Sequence, residues 1–269
     1  MTVRPYAFTL LLSVGALAWG QDILSSSSSD FSLSWKTTDI RVTPAGRSAP
    51  AISFRRLAQA EWNNLARDAA GLSLSGDTTY RVLSFAGPYL SVEVGQYCEC
   101  GGAHPTSHRQ FQAIDLRGTR PEAVKPLGLT ELFPEGAILS ALKADKVVAA
   151  ALKEADAPPP QSLSVMVDAL KYQTVQVGDC GYSFSETFLN EFALYDVRAD
   201  KVTVRISLSH ASEVCRGQMT QVGIELPTPE ALKPLLLQAK AKSAGFLMID
   251  AKKLANGKQT SFHFSTKGK

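Results

Sequence analysis

At 269 residues, with 45% hydrophobic and 20% charged side chains, the chain has the composition of a globular protein with enough apolar mass for a real core. It is long enough for one large domain or two small intimate ones. A net charge of +3 is too small to argue for a nucleic-acid partner, and no apolar run approaches the ~18 residues a membrane-spanning helix needs.

The first residues set the compartment. Met1 to Pro5 carry one positive charge, Tyr6 to Leu17 form a short apolar run, and Ala18-Trp19-Gly20 places small residues for cleavage before Gln21. Residues 1–20 therefore read as a signal peptide, and the mature chain as periplasmic or secreted, with no transmembrane segment. Residues 21–47 include Ser25 to Ser29 and too little apolar content to pack alone, so they read as a Ser-rich tether, with Phe31 to Val42 available as an edge strand. Phe54, Leu57, Ala58, Leu65, Ala66 and Ala69 recur at helical spacing and predict a helix over 52–70. Thr79–Phe85 and Tyr89–Tyr97, split by Ala86-Gly87-Pro88, predict a hairpin, and Arg109–Leu116 a further strand.

Beyond Pro134 the spacing of Ile138, Leu142, Ala149 and Leu152 predicts a helix over 137–155, broken by Pro158 to Pro160. Ser162 caps a following helix to Tyr172. Phe188–Val197 and Lys201–Leu208 form a second hairpin, Gln218–Leu226 a third strand, and Pro229 opens a helix over 229–243. The sum is an α+β fold: a largely antiparallel sheet flanked by helices in two cooperating halves, 48–156 and 157–244, ending over 245–269 in a Lys-rich tail or a final strand. Beyond position 239, Lys240, Lys242, Lys252, Lys253, Lys258, Lys267 and Lys269 face only Asp250, a solvated end with some capacity for an anionic surface.

Export changes the meaning of the cysteines. Cys98, Cys100, Cys180 and Cys215 are an even set in an oxidising compartment, so two disulfides are expected. Of the three pairings, Cys98–Cys100 is disfavoured, because residues two apart on a strand are too far separated. One bridge from this pair to each of Cys180 and Cys215 is expected, stapling the halves across loops of roughly 80 to 120 residues. Cys98, Cys100, His104 and His108 also have the ligand types of a zinc site, which oxidation of the thiols would preclude. His104 and His108 alone match the His-x-x-x-His of metal-dependent polysaccharide deacetylases, without the acidic segment that chemistry requires. No nucleophile elbow, zinc-protease helix, phosphate loop or dinucleotide fingerprint occurs, and no cofactor is expected. Glu93, Glu99, Asp115, Asp179 and Glu186 offer carboxylates whose pairing spacing cannot fix. Gly101 and Gly102 allow a sharp bend after a strand, with His104 upon it, so Gly101, Gly102, His104 and His108 are the candidate binding residues.

Cys100-Gly101-Gly102-Ala103-His104, then Phe111-x-x-x-Asp115-Leu116-x-Gly118, then Leu127-x-Leu129-x-Glu131-Leu132-Phe133 resembles the motif series of an exported domain of unknown function. That domain forms the outer part of a lysozyme-sensing anti-sigma factor and accompanies some cell-wall deacetylase domains. Phe192 to Tyr195, Val202 to Val204, Gly217 and Val222-x-Ile224-x-Leu226-Pro227 are similar to its closing strands, so the likeness covers about 50–238. It implies an α+β fold and recognition of a cell-wall glycan, or of an envelope or host protein such as lysozyme, in place of catalysis. A metal-dependent hydrolase or deacetylase acting on wall polysaccharide is the alternative. Pro105 departs from the family pattern, and a cleavable leader replaces its membrane helix.

Overall fold

The computed structural model describes residues 20–69, 71–119, 124–211 and 213–266. All of the expected leader except Gly20 lies outside them, as do Lys267 to Lys269. The described residues form the α+β fold expected from the sequence, with 13 strands in antiparallel sheets and seven α-helices.

The chain opens with a meander, β1 (Asp22–Ser27), β2 (Phe31–Lys36) and β3 (Asp39–Pro44), closed by the two-residue β4 (Ile52–Ser53). The expected tether over 21–47 is thus corrected. Ser25 to Ser27 form the second half of β1, an edge strand, while β2 and β3 alternate apolar and polar, and Trp35, Ile40 and Val42 are wholly buried. A serine run has low strand propensity, but pairing to an apolar neighbour overrides it. Ser53 then caps α1 (Phe54–Asp68), and the buried Asp39 ties β3 to the helix start by accepting from Ser53 Oγ at 2.9 Å and Arg55 N at 3.0 Å.

The second sheet runs β13-β5-β6-β7, from β5 (Leu74–Ala86), β6 (Tyr89–Glu99), β7 (Thr106–Asp115) and β13 (Thr260–Thr266). α1 and the meander cover one of its faces, burying Phe54, Tyr80, Val82, Val92 and Val94 in a shared core. Of the two endings expected over 245–269, the structure shows the final strand, β13, and corrects the tail. Phe246 exchanges both backbone hydrogen bonds with Phe85 at 2.8 Å, α7 (Met248–Leu254) follows, and β13 pairs with β5 along its whole length. Thr260 receives the Trp35 indole N–H at 3.0 Å and donates to the Lys36 carbonyl at 2.6 Å, so the two ends of the chain close on each other.

The third sheet holds β8 (Thr174–Val177), β9 (Cys180–Ser183), β10 (Phe192–Arg198), β11 (Lys201–His210) and β12 (Met219–Pro227). The expected helix over 137–155 is two helices, α3 (Glu135–Ala144) and α4 (Lys146–Glu154). Asp145 between them is extended, and its Oδ1 accepts from Val147 N and Val148 N, capping a new helix start. The apolar periodicity ran through the break because Ile138, Leu142, Val148 and Ala151 enter one core. That core also contains α2 (Leu129–Leu132), α5 (Leu163–Leu170), α6 (Lys233–Lys240) and the inner faces of β10, β11 and β12. The boundary at 157 is therefore corrected: 129–170 packs with the later sheet, and the passage between cores falls between Leu116 and Leu127. The proline loop looked like a border because proline disrupts backbone order, but borders follow shared burial.

The disulfides are Cys98–Cys100 and Cys180–Cys215, with Cα separations of 5.3 and 5.7 Å. The expected cross-pairing between halves is corrected. An extended i, i+2 pair would lie about 6.6 Å apart, but β6 ends at Glu99 and Gly101 takes φ +83°, so the chain curls and brings the two sulfurs together. Each bond is local to its own sheet.

Candidate functional site: a trough between α1 and β7

Register places Thr106, His108, Gln110 and Gln112 of β7 on the face that carries Cys98, Gln96, Val94 and Val92 of β6 and Thr78, Tyr80 and Val82 of β5. On β5 and most of β6 this face is largely apolar and is covered by α1 and the meander. On β7 it is polar and only half covered, because α1 sits over the β5 and β13 side. A trough results, floored by a row of hydrogen-bonding side chains. From Thr106 to Asp115 it runs about 30 Å at the usual rise per strand residue.

One end is an open cleft of about 970 Å³, walled by Glu61 and Asn64 of α1, floored by Tyr80 and Gln112, and closed by Asp115, Arg117 and the 124–131 segment. Arg117 grips Asp115 in a fork, Nε to Oδ1 at 2.9 Å and Nη2 to Oδ2 at 2.6 Å, while its backbone N–H also donates to Oδ1 at 2.9 Å. Nη2 donates to the Tyr89 hydroxyl at 3.0 Å, and the guanidinium lies over the Tyr89 ring. Burial alone would raise the Asp115 carboxyl, but these bonds outweigh it and hold it below its usual range. Glu61 behaves oppositely. Desolvation raises its carboxyl, and the Gln96 amide N–H, donated at 3.2 Å, offsets only part of that. The Tyr80 phenol is raised first by burial and then by the neighbouring Glu61 charge.

The other end is a pocket of about 460 Å³ lined by Trp62, Leu65, the Cys98–Cys100 disulfide, Gln96, Thr106 and His108. Glu61 borders both spaces.

The structure separates the candidate binding residues. His108 lies on the floor of the trough, on β7 and not on a loop, with Nε2 bonded to Gln110 Oε1 at 2.8 Å. Gly101 and Gly102 make the exposed bend between β6 and β7. Only Gly101 needs glycine, because its φ is positive and a Cβ there would come within 2.9 Å of Leu72. His104 is exposed on that bend and lines neither space. With both cysteines oxidised, the four-residue zinc set lacks its thiolates, and no group of three His, Cys, Asp or Glu converges among the described residues.

Of the five carboxylates considered, Asp115 alone enters the trough. Glu93 is buried on the opposite face between Arg81 at 3.3 Å and Arg109 at 3.0 Å, and Glu99 accepts from Ser75 Oγ and the Tyr97 hydroxyl. Asp179 sits on the β8–β9 turn, and Glu186 pairs with Lys171. Sequence reasoning missed Glu61, Asn64 and Gln112. The readable signal was β7 itself, where Thr106, His108, Gln110 and Gln112 put polar groups at every second position. No family model, curated protein or solved structure matches the chain.

Proposed function

We propose that the chain is an exported, non-catalytic recognition module that binds an extended glycan of the cell wall in the trough between α1 and β7. One observation carries this reading: a long open trough whose floor and walls present planar hydrogen-bonding groups (Gln112, Asn64 and the Arg117–Asp115 fork), the fork being held in place by its own hydrogen bonds. Polyhydroxylated chains are held by such fixed polar arrays, and the fork limits the ordering cost of binding. Two disulfides fit the oxidising compartment that the leader implies, periplasm or exterior. The resemblance to an envelope recognition domain supports the same direction.

The test is titration of the purified chain with soluble peptidoglycan strands and chitooligosaccharides, followed by calorimetry and amide shift mapping. Saturable binding is expected, with shifts centred on Gln112, Asn64 and Arg117, and Arg117→Ala should weaken it about tenfold. Retention of lysozyme with no glycan binding would move the reading to a protein partner. A second reading, glycan hydrolysis, is favoured by one observation: Glu61 and Asp115 border a single cleft with carboxyls shifted in opposite directions, the pattern of an acid and a base. Turnover of chitooligosaccharide abolished by Glu61→Gln would establish it.

A further inference from the structure

The trough changes character toward the Cys98–Cys100 disulfide, and recognition of sugar hydroxyls has no use for that end. Its walls are the Trp62 indole, the Leu65 side chain and the disulfide sulfurs, around about 460 Å³. The indole is fixed. It stacks on Phe264 at 5.6 Å and 17°, and it lies so close over Gly76 that a Cβ there would fall 3.1 Å from the ring. Thr106 and His108 add polar groups on the β7 floor, and Glu61 and Gln96 stand at the side facing the open cleft. Gln96 Nε2 donates to Glu61 Oε2, which leaves the amide its second N–H and the carboxylate its other oxygen.

We propose that this pocket is an acetamido subsite, so that the glycan bound along the trough is a polymer of 2-acetamido sugars. This inference rests on the glycan reading of the same trough. An acetamido group has three features: a methyl, one N–H donor and one carbonyl acceptor. The pocket offers a matching surface for each. The methyl meets Trp62, Leu65 and the sulfurs; the N–H meets the Glu61 carboxylate; the carbonyl meets the free N–H of Gln96. A sugar with a hydroxyl at this position leaves the apolar walls in contact with water. A primary ammonium would satisfy Glu61 but leave those walls unfilled. Burying one methyl-sized group in such a site discriminates by about tenfold or more.

The experiment compares three tetrasaccharides on the purified chain by calorimetry: the N-acetylglucosamine tetramer, cellotetraose and the glucosamine tetramer. The acetylated tetramer is expected to bind at least about tenfold more tightly than either of the others. Leu65→Gln, at an exposed position where folding is verified by thermal melting, is expected to remove that preference. Equal affinity for the three sugars, tighter binding of the glucosamine tetramer, or a preference that survives Leu65→Gln would each overturn the acetamido subsite and leave the glycan trough standing. Absence of binding by any tetramer would overturn both.

Discussion

Gly245 shows how much a single residue can decide. Its φ is +97°, and a Cβ built there would stand 1.9 Å from the Phe85 carbonyl oxygen, in the path of the paired Phe85–Phe246 bonds. Gly245→Ala must therefore break that bridge or distort β5, and a loss of about 3 kcal/mol or more in urea unfolding is expected. Asp196 matters for a different reason. Its carboxylate is nearly buried and takes hydrogen bonds from Arg198 Nε at 3.0 Å and Val197 N at 2.8 Å, with Lys240 alongside at 3.2 Å. Burial pushes this carboxyl up, but the three donors together bring it below its usual value. The folded state thus binds fewer protons than the unfolded one in acid. The stability Asp196 contributes is present above about pH 4 and is lost as pH falls through the depressed folded value. Asp196→Asn should cost about 1–3 kcal/mol at neutral pH and flatten the stability profile below pH 4, measured by urea melts across pH. A profile unchanged by the substitution would contradict this assignment.

At the scale of elements, the two disulfides differ in what they hold. Cys180–Cys215 spans 35 residues and ties the β8–β9 hairpin to the turn before β12, whereas Cys98–Cys100 closes a loop of two steps. In the chain-entropy account the first contributes about 4 kcal/mol and the second about 1.5 kcal/mol. Replacing Cys180 and Cys215 together by Ser should lower the melting temperature clearly more than the same change at Cys98 and Cys100. The smaller bond has its main effect on shape, since its sulfurs wall the trough. The elements also show what local pattern can carry. Both long hairpins, α1 and α5 stand where periodicity and turn residues put them. β1 and β8 were not legible, because serine and short mixed segments have no apolar rhythm of their own.

In the whole molecule, the second and third sheets meet through serines. Ser207 Oγ of β11 accepts from Phe111 N at 2.9 Å, Ser209 Oγ donates to the Arg109 carbonyl at 3.2 Å, and Ser91 Oγ accepts from Leu194 N at 3.4 Å. The Ser207 and Ser209 hydroxyls satisfy backbone groups on the outer edge of β7, where a further strand would otherwise pair, and Ser91 of β6 satisfies an amide of β10. Leu83, Phe111 and Ala193 fill the space beside them. Ser207→Ala leaves the buried Phe111 amide without its partner and should destabilise the chain by about 1–3 kcal/mol, read by thermal unfolding. Because the seam also carries β7, the floor of the trough, the same variant should weaken the proposed glycan binding; unchanged stability would show that the seam is not the link between sheets.

The sequence alone determined the fold class, most of the helices and hairpins and an oxidised set of four cysteines, because each depends on local periodicity, turn chemistry or composition. It also pointed to His108, through its spacing from His104. The partners of the cysteines, the packing of the first and last strands, the true border between cores and the trough came only with the tertiary structure. Each of these depends on which distant surfaces share burial: Trp35 meets Thr260 across more than two hundred residues, and Glu61 meets Gln96 only because a helix lies over a sheet. Spacing along a chain records the period of an element. It does not record what that element will be folded against.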